Sequence, residues 1–194
     1  MLHFKIEIAR PKIVSTKVSI EPTFSLDEKA HYLGNTAYFI PAGEERLYLL
    51  ALLNSSVSAY YARGRFVGKQ NGYYEVQPEA LEAFPIPSAT AQHKMVLGVA
   101  ANCVLATSDP RYEQLINGLV FELFFPDDLH HANIRLFDAC EQAGVAKLAS
   151  LEGQALASAA KHLAERIFAK DHPIYGQLFD LQALPVVRII EGKE

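Results

Sequence analysis

Residues His31–Pro87 read HYLGNTAYFIPAGEERLYLLALLNSSVSAYYARGRFVGKQNGYYEVQPEALEAFPIP. In order this predicts a strand pair, an apolar helix, a basic polar loop, an aromatic strand, a short helix and a proline exit. Between Arg46 and Tyr74 there is no acidic residue, yet Arg46, Arg63, Arg65 and Lys69 all fall there. The rest of the chain reads as support for this unit.

Within the stretch, HYL and TAYFIP flank Gly34-Asn35, a pair suited to a tight connection with positive φ. Strand alternation places one of Tyr38 and Phe39 in the core and the other on a surface or cleft. Glu44 and Glu45 favour a helix N-terminus through the helix dipole. Leu47, Leu50, Leu53 and Val57 recur at helical spacing, and Asn54-Ser55-Ser56 is expected to stop one helix and cap the next. RGRFVGKQNG holds three glycines and no acid. It is expected to be a loop. Tyr73, Tyr74 and Val76 resume a strand, and Pro78 suits the first turn of a helix over PEALEAF.

Upstream, Leu2–Ile8 alternates as a half-buried strand. Lys12–Ile20 is rich in β-branched residues and reads as a strand with a bend near Thr16. No acid lies between Glu7 and Glu21, while Arg10, Lys12 and Lys17 do. After Ala91 the pattern turns helical. Asp109 before Pro110 is an N-cap followed by an N1 proline. Pro126 ends the helix so begun, Asp127-Asp128 opens another with Gly144 as its stop, and a further helix covers Leu151 to Phe168. A short helix follows Pro173, and PVVRII (Pro185 to Ile190) is expected to be a strand or extended tail. The fold expected is α+β: a small curled mixed or antiparallel sheet with packed helices over residues 1–90, then a mostly helical part over 91–194.

Half of the 194 residues are hydrophobic, enough for a real core, and the net charge of −4 argues against a broadly basic nucleic-acid binder. The charge is uneven: residues 1–94 carry 10 basic and 9 acidic side chains, residues 95–194 carry 8 and 13. Contact with a polyanion is therefore expected from the first half, through local patches. Cys103 and Cys140 sit in helix-like surroundings and read as buried thiols of a cytoplasmic protein. The first residues have charges inside any apolar run, so no signal peptide is expected. No apolar run approaches the roughly 20 residues of a membrane span.

Several chemistries fail on spacing. Pro126-Asp127 and Glu191-Gly192-Lys193 spell the halves of a PD…ExK nuclease signature, but that chemistry needs them on adjacent strands around a metal. GRFVGK (Gly64 to Lys69) is one residue short of a phosphate-binding frame, with Gln70 where a hydroxyl is needed. His130 and His131 are adjacent, so on a helix they point about 100° apart and cannot share a metal alone. The remaining histidines are scattered and read as solvated or capping. No GxSxG, GxGxxG or Asn-Pro sequence is present. No metal site and no catalytic residue is assigned. The basic windows remain. Arg and Lys neutralise phosphates and release counterions. Arg reads guanine, and Gln or Asn reads adenine, in the major groove. Arg63, Arg65, Lys69, Gln70 and Asn71 bring both sets together, with Lys17 as a further candidate. The plainer alternative is a solvated loop.

PKIV, TFSLD, HYLGNTAYFIP, LYLLALLNS and GYYEVQPEALEAFPIP, in that order, resemble the TaqI-like C-terminal specificity domain. The resemblance covers about Pro11 to Pro87. That domain is the target-recognition module of adenine-N6 DNA methyltransferases and of restriction-modification enzymes related to them. INGLVFELFF and PVVRIIEGK resemble the segment that follows it in large enzymes of this kind.

The resemblance implies a separate catalytic domain that binds S-adenosylmethionine and flips an adenine out of the duplex. It implies no cofactor in this chain, because neither the Asn-Pro-Pro-Tyr/Phe loop nor the glycine-rich cofactor motif is present. The chain alone is thus expected not to be an enzyme. It would be a fragment or separate specificity piece whose partners are double-stranded DNA and a catalytic methyltransferase domain in cis or trans. The matching blocks would be scaffold, and the DNA contacts would lie between them: Lys17, Arg63, Arg65, Lys69, Gln70 and Asn71. The stretch before the second tyrosine strand is short, which implies contact with few bases. A second expectation is a docking domain that binds the catalytic partner without reading DNA, suggested by the apolar faces at Leu115–Leu123 and Leu156–Ile167.

Overall fold

The computed structural model describes residues 10–41 and 43–193. The strand expected over Leu2–Ile8 lies outside them. The chain divides into two compact units. The first runs to Asn54 and resumes over Ser58–Ile86; the second takes Ser55–Val57 and the chain from Pro87 onward. The architecture is α+β; the described residues form two three-stranded sheets in the first unit and helices throughout the second.

Strand β1 (Lys12–Thr16) is the centre of the first sheet. It pairs antiparallel with β3 (Phe24–Asp27) on one side and β4 (Ala37–Pro41) on the other. Ile13 faces Leu26 and Ile40 across these ladders and is fully buried. Beneath lies α1 (Arg46–Leu53), which buries Tyr48, Leu50, Ala51, Leu52 and Leu53. At its end the Asn54 side chain imitates a strand. Its Oδ1 accepts from the Phe24 amide at 3.0 Å, and its Nδ2 donates to the Phe24 carbonyl at 2.9 Å. Asn54 thus both stops the helix and ties it to β3.

Lys12 departs from the surface role that a basic window suggests. It has no solvent exposure, and its Nζ lies 2.7 Å from Asp27 Oδ2. The two are direct cross-strand partners in the β1–β3 ladder. Asp27 also accepts from the His31 amide at 2.8 Å, and its Oδ1 lies 2.8 Å from His31 Nδ1. That folding-back occupies the segment expected to be a strand. HYL therefore forms no ladder, and β4 pairs with β1 instead. Gly34 and Asn35 do not take positive φ; Ala30 does, at 55°. Tyr38 and Phe39 are both half-buried, and among the described residues β4 is an edge strand.

The chain bends at Lys17, one residue beyond Thr16, and β2 (Val18–Ser19) enters the second sheet. There it pairs with β6 (Tyr74–Glu75), which also pairs with β5 (Val67–Gly68), giving the order β2-β6-β5. Helix α2 (Ser56–Arg65) leads into β5, and α3 (Pro78–Glu82) follows β6 with Pro78 in its first turn. Ala62, Phe66 and Val76 form a small core with Tyr38, Tyr74, Ala80 and Leu81 packed on it.

In the second unit, α4 (Ala91–Thr107) and α5 (Pro110–Phe124) are the two helices richest in buried residues. Asp109 caps α5 by accepting from the Arg111 amide, as its position before Pro110 predicts. The segment expected to be one helix from Asp127 to Gly144 is two, α6 (Pro126–His131) and α7 (Leu136–Ala143), broken at the positive-φ residue Asn133. Gly144 ends α7 in the left-handed conformation. Then come α8 (Gly153–Ile167), α9 (Pro173–Leu181) and α10 (Pro185–Glu191). The last corrects the expected strand over PVVRII. Pro185 occupies its first turn, and Val187 and Ile190, three apart, are both buried. Core burial on one helical face outweighs the β preference of Val and Ile.

A buried carboxylate organises the middle of this unit. Glu122 on α5 accepts from the Phe137 amide of α7 at 3.0 Å, and its other oxygen lies 3.1 Å from His130 Nε2 on α6. It satisfies an orphan donor at the start of α7 from a neighbouring helix. Cys103 and Cys140 are free and buried, and burial raises their thiol pKa to about 11 and about 12. Neither has the character of a reactive thiolate. The faces Leu115–Leu123 and Leu156–Ile167 are largely consumed in this unit's own core: Leu115, Leu119, Leu156, Leu163 and Ile167 are buried.

These buried charges set how stability responds to pH and to substitution. The hydrogen bond from Lys12, aided by His31, pulls the Asp27 pKa from 3.8 to about 2. A depressed carboxylate stabilises the fold fully above its ordinary value, and that contribution is lost as the pH falls through about 2. Thermal melts between pH 5 and pH 2 should therefore fall more steeply for the native chain than for a Lys12→Met/Asp27→Leu chain. At neutral pH, Asp27→Asn alone should melt below that double variant, since it strands a buried ammonium. In the second unit, Glu122→Ala should cost about 1–3 kcal/mol in urea unfolding and Glu122→Gln less, because Gln keeps an acceptor for the Phe137 amide.

Candidate nucleic-acid interface

The candidate cations sit around the second sheet of the first unit. Lys17 occupies the bend between β1 and β2. Its amide donates to the Thr36 carbonyl at 2.9 Å, and its carbonyl accepts from the Val76 amide at 2.9 Å. Both bonds hold the backbone, which fixes where the side chain starts. Its Nζ lies 5.0 Å above the centre of the Tyr38 ring.

Arg63 and Arg65 are not on a loop. The helix carries on through Gly64, and both arginines stand in its last turn. The Phe66 amide still donates to the Ala62 carbonyl at 2.8 Å. Cations at a helix C-terminus face the negative end of the dipole, which favours them there. Each also lies over a tyrosine one turn back. The Arg63 guanidinium is 5.9 Å from the Tyr60 ring centre, and that of Arg65 is 5.7 Å from the Tyr61 ring centre. Spacings of three and four residues bring side chains together on one helix face.

Lys69, Gln70 and Asn71 form the hairpin between β5 and β6. The Lys69 amide donates to the Tyr73 carbonyl at 2.6 Å, closing the connection. Asn71 and Gly72 take φ of 61° and 76°, the left-handed values that Asn-Gly supplies at low cost. The tight positive-φ turn of this unit is therefore here, not at Gly34-Asn35. Gln70 and Asn71 are exposed at the tip. Lys69 is not a free charge, however. Its Nζ lies 2.5 Å from Glu75 Oε2. In the β5–β6 register Lys69 and Glu75 are diagonal neighbours on one face. The acid-free window ends at Tyr74, and the next residue folds back onto its last lysine.

The six candidates are thus distributed over three elements of one unit: Lys17 at the strand bend, Arg63 and Arg65 at the end of α2, and Lys69, Gln70 and Asn71 on the hairpin. Arg65 and Lys69 are four positions apart, at most about 14 Å of extended chain. Lys12, in the same acid-free window as Lys17, is withdrawn from the surface. What the sequence did not indicate is the tyrosine under three of the four cations, Tyr38, Tyr60 and Tyr61. The signal for the last two was available in the spacing YYARGR.

The other motifs do not assemble. Gly64 of GRFVGK is helical, so no glycine loop is built there. Asp127 stands on α6, whereas Glu191 ends α10 and is paired with Lys193, without the shared sheet that nuclease chemistry requires. Among the described residues no three His, Cys, Asp or Glu side chains gather as a metal set. His172 caps α9 by accepting from the Ile174 amide, and His93 stacks on Phe137 at 4.1 Å. No helix of the described residues is long and apolar enough to cross a membrane.

Comparison with curated proteins and with solved structures gave no match. Comparison with protein-family models gave one that covers residues 3–86, less than half of the chain but nearly all of the first unit. The domain that carries Lys17, the two tyrosine-backed arginines and the hairpin is matched by the TaqI-like C-terminal specificity domain family.

Proposed function

We infer that the chain is a DNA-recognition module of an adenine-N6 methyltransferase or restriction-modification enzyme. One observation carries this reading: the matched specificity domain is the unit on whose surface Arg63, Arg65 and the Lys69–Asn71 hairpin stand exposed. Specificity domains select sequence, and these residues have the chemistry to do so. Arginine and lysine neutralise phosphates, arginine forks onto guanine, and the carboxamides of Gln70 and Asn71 match the adenine edge. Lys17 adds a charge at the strand bend. Catalysis belongs, in this reading, to a methyltransferase domain in cis or trans that holds S-adenosylmethionine and the flipped adenine.

A second reading is supported by a different feature. Val18, Val67 and Ile20 are 45 %, 48 % and 59 % exposed. Val18 and Val67 flank Glu75 across the second sheet, so they share a face, and alternation adds Ile20 and Tyr73 to it. The same face carries the Lys69–Glu75 ion pair, and exposed apolar side chains around such a pair suit a protein partner. A domain named for its C-terminal place in an enzyme has such a partner in the catalytic domain. Under this reading the module docks through that face without reading DNA.

Duplex binding separates the two. Replacing Arg63, Arg65 and Lys69 together by Ala should weaken binding of the full chain to a mixed-sequence duplex and reduce the slope of log affinity against log salt by roughly two to three. An unchanged slope would favour docking. Glu75→Gln tests the hairpin from the other side. Releasing Lys69 from its carboxylate should tighten duplex binding and steepen the slope by up to about one. Tighter binding with no change of slope would mean that Lys69 does not meet phosphate.

A further inference from the structure

The two arginines at the end of α2 rest on tyrosines that differ in how firmly they are held. Tyr60 is 48 % exposed, so the ring under Arg63 has solvent on much of its surface. Tyr61 is half-buried and fixed at two further points. Its hydroxyl donates to the Ala80 carbonyl of α3 at 2.9 Å, and its ring meets Phe84 edge-to-face at a centroid distance of 5.2 Å and an interplanar angle of 78°. Phe84 is itself buried. One face of Tyr61 is therefore a rigid platform that α3 and Phe84 hold in place, and the Arg65 guanidinium lies over it.

We propose that Tyr61 is a positioning residue for DNA binding: it pre-orients the Arg65 guanidinium, making Arg65 a fixed contact of the interface. This rests on the DNA-recognition reading above. The physical case is one of entropy. An arginine side chain has rotamer entropy to lose on engagement, and less is lost when its planar group is already stacked. A stacked guanidinium also keeps its edge donors free, because the ring takes only its face. That edge is what forks onto a guanine or a phosphate. Charge alone would not need the platform; orientation does.

The test measures affinity of the full chain for a mixed-sequence duplex at several salt concentrations. Arg65→Lys keeps the charge and lies outside the core, but it cannot stack or fork as arginine does. It should weaken binding while leaving the salt slope unchanged. Tyr61→Leu should weaken binding about two- to fivefold, also without changing the slope, whereas Tyr61→Phe, which keeps the ring, should lose less. In an Arg65→Ala background, Tyr61→Leu should have no further effect. Arg65→Lys binding as tightly as the native chain would overturn the proposal, and so would an equal loss from Tyr61→Leu with and without Arg65. Should Tyr61→Leu fail to fold, Arg65→Lys and Tyr61→Phe still decide it. Failure of the underlying reading looks different: the triple alanine variant would then bind with the native salt slope, and the proposal would fall with that reading.

Discussion

The first unit depends on a lysine that has no access to water. Lys12 stands at the start of the central strand of the first sheet, and Asp27 at the end of its neighbour holds it at 2.7 Å. A buried ammonium without a carboxylate is not tolerated, so the pair admits one register of β1 against β3. That register sets Ile13 between Leu26 and Ile40, and it sets where β1 ends. The same carboxylate pulls in the His31 backbone, which keeps HYL out of the sheet and leaves that edge of β1 to β4. Hydrophobic burial drives collapse, and a register that separated this pair would leave a buried charge uncompensated.

The placement of the candidate cations follows from that choice. With β1 fixed, the bend comes at Lys17, and the next two residues join a second sheet whose other strands flank the hairpin. One chain segment therefore runs through both sheets, and Lys17 stands at the crossing. The Ala62, Phe66 and Val76 core lies on the inner side of the second sheet and packs against Tyr38 of the first. Tyr38 in turn lies under Lys17, as Tyr61 lies under Arg65. Placement of charge here is a consequence of aromatic packing. The tyrosines bury part of their rings and offer what remains to a cation.

Much of the fold was legible in the sequence for local reasons. Asp109-Pro110 and Gly144 are cap signals that depend on the residue itself; the first opens α5 and the second closes α7, as expected. Leu47, Leu50 and Leu53 mark α1 by spacing alone. The misses share a different origin. PVVRII is helical because Val187 and Ile190 reach a core that no local rule can see. Arg63 to Arg65 looked like loop for its glycine and its charge, yet the helix persists to Arg65, with the two arginines stacked over Tyr60 and Tyr61. Lys12 looked like surface and is buried, because its partner lies fifteen residues on in another strand. Lys69 was read inside an acid-free window, but hairpin pairing makes Glu75 its neighbour. In each case a contact distant along the chain, or across a turn, decided against the local pattern. The family resemblance survived these errors because it rests on the scaffold blocks, which are the parts with local signatures.

In the proposed reading the first unit meets DNA through the bend, the end of α2 and the hairpin. Hydrogen–deuterium exchange of the full chain, with and without a saturating mixed-sequence duplex, tests it most directly. The account predicts slowed exchange at residues 63–72 and around Lys17, with α4 to α10 unchanged. Protection confined to the helical unit, or no protection at residues 63–72 under saturating duplex, would contradict it.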